Sequence, residues 1–231
     1  MHRLLRIFSI ALITAGLVVL ADVGMTLAWK EPVSTIYGSI KQGEAEDELA
    51  ELEGRFPSAA DLRAVERARG VEQRVALLAD LFERRVERGD GIGRIEIPRI
   101  DLDVVFVEGT DTTSLQKGPG RYPDTAFPGQ GRTIGIAGHR TTYLAPFRKI
   151  DEVEDGDEIV LDMPYATLTY RVEKHEIVEP TQVEIVRDVG YERLVLTACH
   201  PLYSAAQRWA VFAQLQEVSL FAAADLIWHD P

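Results

Sequence analysis

Cys199 is the only cysteine in the chain, and it closes the run Val195-Leu196-Thr197-Ala198-Cys199-His200-Pro201, which reads as the end of a buried strand entering a turn. Arg208 opens the next apolar run, Arg208-Trp209-Ala210-Val211-Phe212-Ala213, and Gly138-His139-Arg140 closes an earlier one. A thiol attacks as its thiolate, and a free thiol is only about a few per cent ionised at neutral pH. A neighbouring imidazolium or guanidinium favours that ionised form. His139 suits a general acid toward a leaving amine and then a general base toward an incoming one. Arg208 cannot give up its proton, so it is a poor base but a good partner for an oxyanion. The hairpin from Cys199 to Arg208 can bring both to one end of adjacent strands. One thiol, one imidazole and one guanidinium at three strand ends are what a cysteine transacylase needs.

Each residue also has a plainer reading. Buried thiols are commonly inert packing residues, His139 alone could be structural, and Arg208 alone could form a surface ion pair. His200 adjoins Cys199 and so points to the opposite side of the strand; it is read as structural. Arg140 is read as a solvated or ion-paired residue at a strand end.

Composition restricts the remaining possibilities. The 231 residues carry a net charge of -12, which argues against a nucleic-acid partner, because phosphate binding needs clustered Lys and Arg. With 46% hydrophobic residues the chain is not disordered. It contains no Asn, which removes N-glycosylation and any Cys-His-Asn triad.

The N-terminus is basic, Met1-His2-Arg3-Leu4-Leu5-Arg6, and an apolar run extends from Ile7 to Trp29, interrupted by Asp22. That span can cross a hydrocarbon layer of roughly 30 Å. The positive flank would stay cytoplasmic, Trp29 suits the outer interface, and the rest would be extracellular. A signal peptide cleaved near Thr26-Leu27-Ala28 and a buried soluble helix are the rival readings. Outside the cell, one cysteine cannot form an internal disulfide, so a reactive thiol or an intermolecular bridge becomes the natural interpretation.

Residues 30–42 read as a linker, and 43–90 as two helical stretches, about 44–54 and 58–87, separated by Phe56-Pro57. Ser58 and Asp61 form a plausible cap for the second. Its stripe of Leu62, Val65, Val71, Val75, Leu78, Leu81 and Phe82 is read as part of a stalk, with a segment covering the active site as the alternative. From Gly91 the period becomes that of strands: 92–98, 104–107, 133–137, 158–161, 167–177, 194–199 and 209–215, separated by Gly- and Pro-rich turns. Short helices are expected near 111–117, 144–150 and Leu220–Trp228. Many short strands between turns predict an all-β barrel.

Gly138-His139-Arg140, Leu196-Thr197-Ala198-Cys199 and Arg208 together resemble the signature of the sortases, the membrane-anchored cysteine transpeptidases of Gram-positive bacteria. The resemblance covers about 90–225. Thr-Leu-x-Thr-Cys is the family pattern at the nucleophile; here Leu196 is in place, while Val195 and Ala198 stand where Thr is usual. These departures alter supporting positions and leave the nucleophile. The stretches Gly138–Tyr143 and Cys199–Arg208 are similar to class E sortases of actinobacteria, and the preference for Arg over Lys fits a high-GC source.

The resemblance implies a closed β-barrel of about eight strands over 91–231, preceded by a membrane anchor (1–29) and a linker with an acidic helical stalk (30–90). It implies cleavage of a C-terminal sorting signal between Thr and Gly, a Cys199 thioester, and transfer to an amine of a cell-wall precursor or a pilin lysine. The signal would be Leu-Ala-x-Thr-Gly, or Leu-Pro-x-Thr-Gly. Tyr143, Thr197 and Ala198 would contact the substrate. No cofactor and no metal are expected: paired zinc-ligand motifs are missing, and the acidic loop Asp151–Asp157, which has oxygen ligands at a spacing calcium could use, is read as a solvated turn. A thiol hydrolase on the same fold and a non-catalytic surface domain are the competing functions.

Overall fold

The computed structural model of the chain describes residues 2–28 and 32–220. Helix α1, His2–Ala28, contains the apolar span Arg3–Gly24, long and apolar enough to cross a membrane. Trp29 and the helix expected beyond Leu220 lie outside the described residues.

Helices α2 (Pro32–Glu53), α3 (Ala59–Val65) and α4 (Val71–Glu83) follow. The expected linker is therefore helical from Pro32. The expected long helix breaks between α3 and α4, where Gly70 takes φ 84°, a conformation that favours glycine. Ser58 and Asp61 do form a reciprocal capping box: the Asp61 amide donates to Ser58 Oγ, and the Ser58 amide to Asp61 Oδ2 at 2.8 Å. Arg85 closes the corner with two bonds to the same carboxylate, 2.7 and 2.6 Å, and holds Asp61 down at about 2. The stability this pair contributes is complete above the ordinary carboxylate value of 3.8 and is lost as pH falls toward 2.

The segment expected to be a stalk lies on the barrel. Val75, Leu78, Ala79 and Phe82 of α4 join the main core. The Phe82 ring packs 5.1 Å from Phe56, 5.5 Å from Tyr165 and 6.1 Å from Phe127, all buried. An apolar helical stripe left in water would cost too much when a barrel surface is available to cover it. Phe82→Ala should lower unfolding free energy by about 3–5 kcal/mol in denaturant titrations. A change below 1 kcal/mol would restore the detached stalk.

The strands are β1 (Gly91–Ile97), β2 (Leu102–Glu108), β3 (Gly120–Arg121), β4 (Thr133–Gly138), β5 (Glu158–Met163), β6 (Ala166–Val178), β7 (Arg193–His200) and β8 (Gln207–Leu220). They close a barrel in the order β1-β2-β3-β4-β7-β8-β6-β5. Helix α5, Thr112–Lys117, lies between β2 and β3 with Asp111 as its cap. The β2–β3 and β4–β7 pairs are parallel, and the remaining pairs are antiparallel. β3 has only two residues and falls where the sequence shows a Gly-Pro-Gly turn signal. The helix expected near 144–150 does not form; Tyr143, Leu144 and Ala145 take φ of 48°, 63° and 46° instead.

Candidate active site

Strand alternation sorts β7 into two faces. Leu194, Leu196 and Ala198 enter the barrel core, while Val195 joins a smaller cluster outside it with Val178, Ala210 and Phe212. Thr197 and Cys199 therefore share the outer face with Val195. On β8 the same alternation places Arg208 with Ala210 and Phe212. Cys199 is the direct antiparallel partner of Arg208, which puts their Cβ atoms about 4.5–5.5 Å apart on one face. On the other side of β7, β4 runs parallel with Gly138 beside Ala198. The next residue, His139, thus arrives at the level of Cys199, one strand spacing away. The barrel brings together the three side chains that the sequence nominated, from β4, β7 and β8.

Gly138 precedes the imidazole because nothing larger fits: a Cβ there would lie 2.4 Å from the Phe147 ring. Phe147 in turn donates its amide to the His139 carbonyl at 3.0 Å. Burial alone pulls the His139 imidazole below its ordinary value of 6.5. It therefore rests uncharged near neutral pH and is ready to accept a proton. The Tyr143 ring covers it, with centroids 5.2 Å apart. Arg208 is oriented by its own turn, with Nη1 donating to the carbonyls of Ala205 and Gln207, each at 2.9 Å. Tyr203 of the same turn is tied across to the loop after β4 by Arg148, Nη2 to the hydroxyl at 3.0 Å.

A groove of about 560 Å³ opens on the Cys199 face, with Thr197 and Arg208 in its lining. One wall is the β6–β7 loop, whose short 3-10 turn Val183–Val186 is held by Ile185 and Val186 against the outer cluster. The facing wall, Tyr122 to Thr125, is fixed by buried Arg121. Its guanidinium grips Glu108 at 2.7 and 2.8 Å, bonds the Thr125 carbonyl, and lies 4.0 Å over the Phe127 ring. The floor is low because Gly135 has no side chain; a Cβ there would meet the Tyr122 ring at 2.6 Å. Thr197 bonds the Tyr122 hydroxyl at 2.8 Å. Ala198 belongs to the core and is 2% exposed.

Arg140 has a larger place than the sequence implied. It is buried, pairs with Asp151 at 2.7 Å, and directs Nη1 to the Cys199 carbonyl and Nη2 to the Arg148 carbonyl. It thus ties the Cys199 backbone to the loop after β4. His200 packs on Trp209 at 5.4 Å. Three carboxylates of the acidic loop face guanidinium groups, Asp151 that of Arg140 and Glu154 and Asp157 that of Arg99, while Asp155 lies 3.9 Å from His175 Nδ1. No group of three or more His, Cys, Asp or Glu able to hold a metal occurs among the described residues.

Sequence reasoning read Arg140 as a solvated or ion-paired strand-end residue but not its bond to the Cys199 carbonyl, and it missed Tyr122 and the β6–β7 loop. The loop left one trace, the apolar residues Val183, Ile185, Val186 and Val189 in the connection between two strands, of which Val183 and Val189 are exposed.

The sequence matches the sortase domain family over residues 95–216. It is 35% identical over 132 residues to sortase D of Bacillus subtilis, covering 55% of this chain and 65% of that protein. To sortase SrtE1 of Streptomyces coelicolor it is 29% identical over 147 residues, covering 57% and 42%. The matched segments thus span between about two fifths and two thirds of these relatives. The solved sortase E of Streptomyces avermitilis superposes with a TM-score of 0.54 at 31% identity, covering 63% of this chain and 97% of that one. Sortase E1 of Streptomyces coelicolor, solved with a tripeptide in the active site, gives 0.55 at 25%, covering 62% and 95%. With an eight-stranded barrel of matching shape and a family match over residues 95–216, this chain belongs to the sortase family.

Proposed function

We propose that the chain is a membrane-anchored cysteine transpeptidase acting on secreted proteins that carry a C-terminal sorting signal. The observation that carries this reading is the register: Cys199 faces Arg208 across β7–β8, and β4 delivers His139 to the same level. Arg208, with Thr197, lines a groove of about 560 Å³ on the same face of the sheet, roomy enough for part of a peptide. The α1 span supports an anchor with the barrel outside the cell.

The chemistry follows from these positions. Cys199 loses its proton to uncharged His139 and attacks the carbonyl carbon of the signal's Thr. Arg208 holds the oxyanion of the tetrahedral adduct. As the adduct collapses, the Thr–Gly C–N bond breaks and the leaving amine takes the proton from the His139 imidazolium, which leaves a thioester. An incoming amine attacks that thioester, gives its proton to His139, and expels the Cys199 thiolate, so that one amide is exchanged for another. Thr197 and Tyr143 are assigned to substrate contact, Thr197 from the groove wall and Tyr143 from beside His139; Ala198, buried in the core and paired with Gly138 and Trp209 on either side, is not. The likeness to class E favours Leu-Ala-x-Thr-Gly over Leu-Pro-x-Thr-Gly, and the acceptor is an amine of a cell-wall precursor or a pilin lysine.

The test uses the full-length chain in detergent with both peptides, an amine acceptor, and products read by mass spectrometry. A peptide–amine product from the Leu-Ala peptide is the expected result. The hydrolysed peptide as sole product would make water the acceptor and overturn the transpeptidase.

A further inference from the structure

The loop after β4 is held in an unfavourable shape. Tyr143, Leu144 and Ala145 are consecutive non-glycine residues with φ of 48°, 63° and 46°. Each such residue costs on the order of 1 kcal/mol or more and persists only where its surroundings enforce it. The enforcing partner is α2, the helix that follows the membrane span.

Gly38 of α2 is buried against this loop so closely that a Cβ would lie 2.9 Å from the Tyr143 carbonyl carbon and 3.0 Å from the Leu144 nitrogen. The Tyr143 amide donates to Ser34 Oγ at 3.3 Å. The Tyr37 ring meets the Tyr143 ring edge-on at 6.1 Å. Gln116 of α5 bridges the two hydroxyls, taking one bond from Tyr37 and giving one to Tyr143, each 3.4 Å. Tyr143 thus stands between α2 and the His139 imidazole. The other half of α2 is anchored independently. Ala45 and Leu49 pack on Val105 and Val107, Gln42 donates to the Val105 carbonyl at 3.2 Å, and Glu48 pairs with Lys117 at 2.7 Å.

We infer that α2 is a positioning element of the active site: Gly38 and Ser34 lock the Tyr143 loop, and the Tyr143 ring holds His139 in place and shields it from water. The inference rests on the proposed reaction for its kinetic consequence, but its structural part can be read without turnover. The Tyr143 ring lies against His139 on its own loop, β7 runs beside it with Cys199 one residue past Ala198, Arg208 stands one strand further on β8, and Arg140 pairs with Asp151.

Gly38→Ala is the decisive variant. Alanine is favoured over glycine in a helix interior, so α2 itself is not weakened, yet the added methyl cannot fit against the loop backbone. Tyr37→Ala removes the ring contact without adding bulk, and Tyr37→Phe keeps it. All are made in the full chain in detergent. The kinetic arm expects kcat to fall about tenfold for Gly38→Ala and Tyr37→Ala with KM within about twofold, and Tyr37→Phe to stay near wild type, the scale expected when reacting groups are misplaced. The second arm titrates the His139 ring by NMR in the Cys199→Ala background, where coupling to the thiol is absent. There Gly38→Ala and Tyr37→Ala should move the imidazole up toward its ordinary value. An unchanged His139 titration in both variants overturns the inference, even where kcat falls. A wild-type protein with no Cys199-dependent product would overturn the proposed reaction alone, since the titration still reports on the contact.

Discussion

Cys199→Ala should leave a folded barrel that forms no acyl-enzyme and no transfer product. The side chain sits on the outer face of β7, half-exposed and unpaired in any disulfide, so removing one sulfur should shift stability by no more than about 0.5 kcal/mol. The chemical loss is of a different order. With the nucleophile gone, neither His139 nor Arg208 has an intermediate to act on. The fall should reach on the order of 10⁴–10⁶ in turnover, the scale for deleting a nucleophile that works as a unit with its base. Intact-mass spectrometry after peptide addition provides the measurement. An acyl adduct on Cys199→Ala would move the nucleophile elsewhere, and the whole assignment with it.

Arg208→Ala comes next in size, about 10²–10³ in kcat, the scale for losing an oxyanion donor. The same turn holds the guanidinium by two carbonyls, so a lysine, which lacks the planar fork, should not restore the rate. Two measurements separate its roles. Single-turnover acylation should fall by that factor, while alkylation of Cys199 by a neutral reagent should change little. Equal losses in both would make Arg208 an activator of the thiolate rather than a partner of the oxyanion. A wild-type acylation rate would end its assignment to the reaction.

Much of this protein was legible one residue at a time. The strands of the barrel show in alternation and turn signals: Ile95 and Ile97 point inward from β1, as their spacing implies, while Ile92 joins them only through an irregularity in the register between Gly91 and Gly93. Cys199, His139 and Arg208 are visible because each stands at the end of an apolar run, and a chemically useful side chain there is out of place in a core. The apolar N-terminal span is likewise a property of composition and length.

What stayed hidden depends on who packs against whom. Pairing of β4 with β7, which sets His139 beside Cys199, joins segments about sixty residues apart in a parallel register, and no local pattern encodes such a partner. The stripe on α4 announced a buried face but not its cover, and so the stretch 58–87 read as part of a stalk, whereas α3 and α4 pack into the barrel's core. Arg140 looked like any strand-end arginine until burial gave it Asp151 and the Cys199 carbonyl. Gly38 carried no signal at all: a glycine in a helix reads as a weakness, and only the approach of the Tyr143 backbone shows why a side chain is excluded there. Periodicity and residue chemistry are local and are written along the chain. Register, burial and close approach arise between distant segments, and they exist only once the barrel has closed.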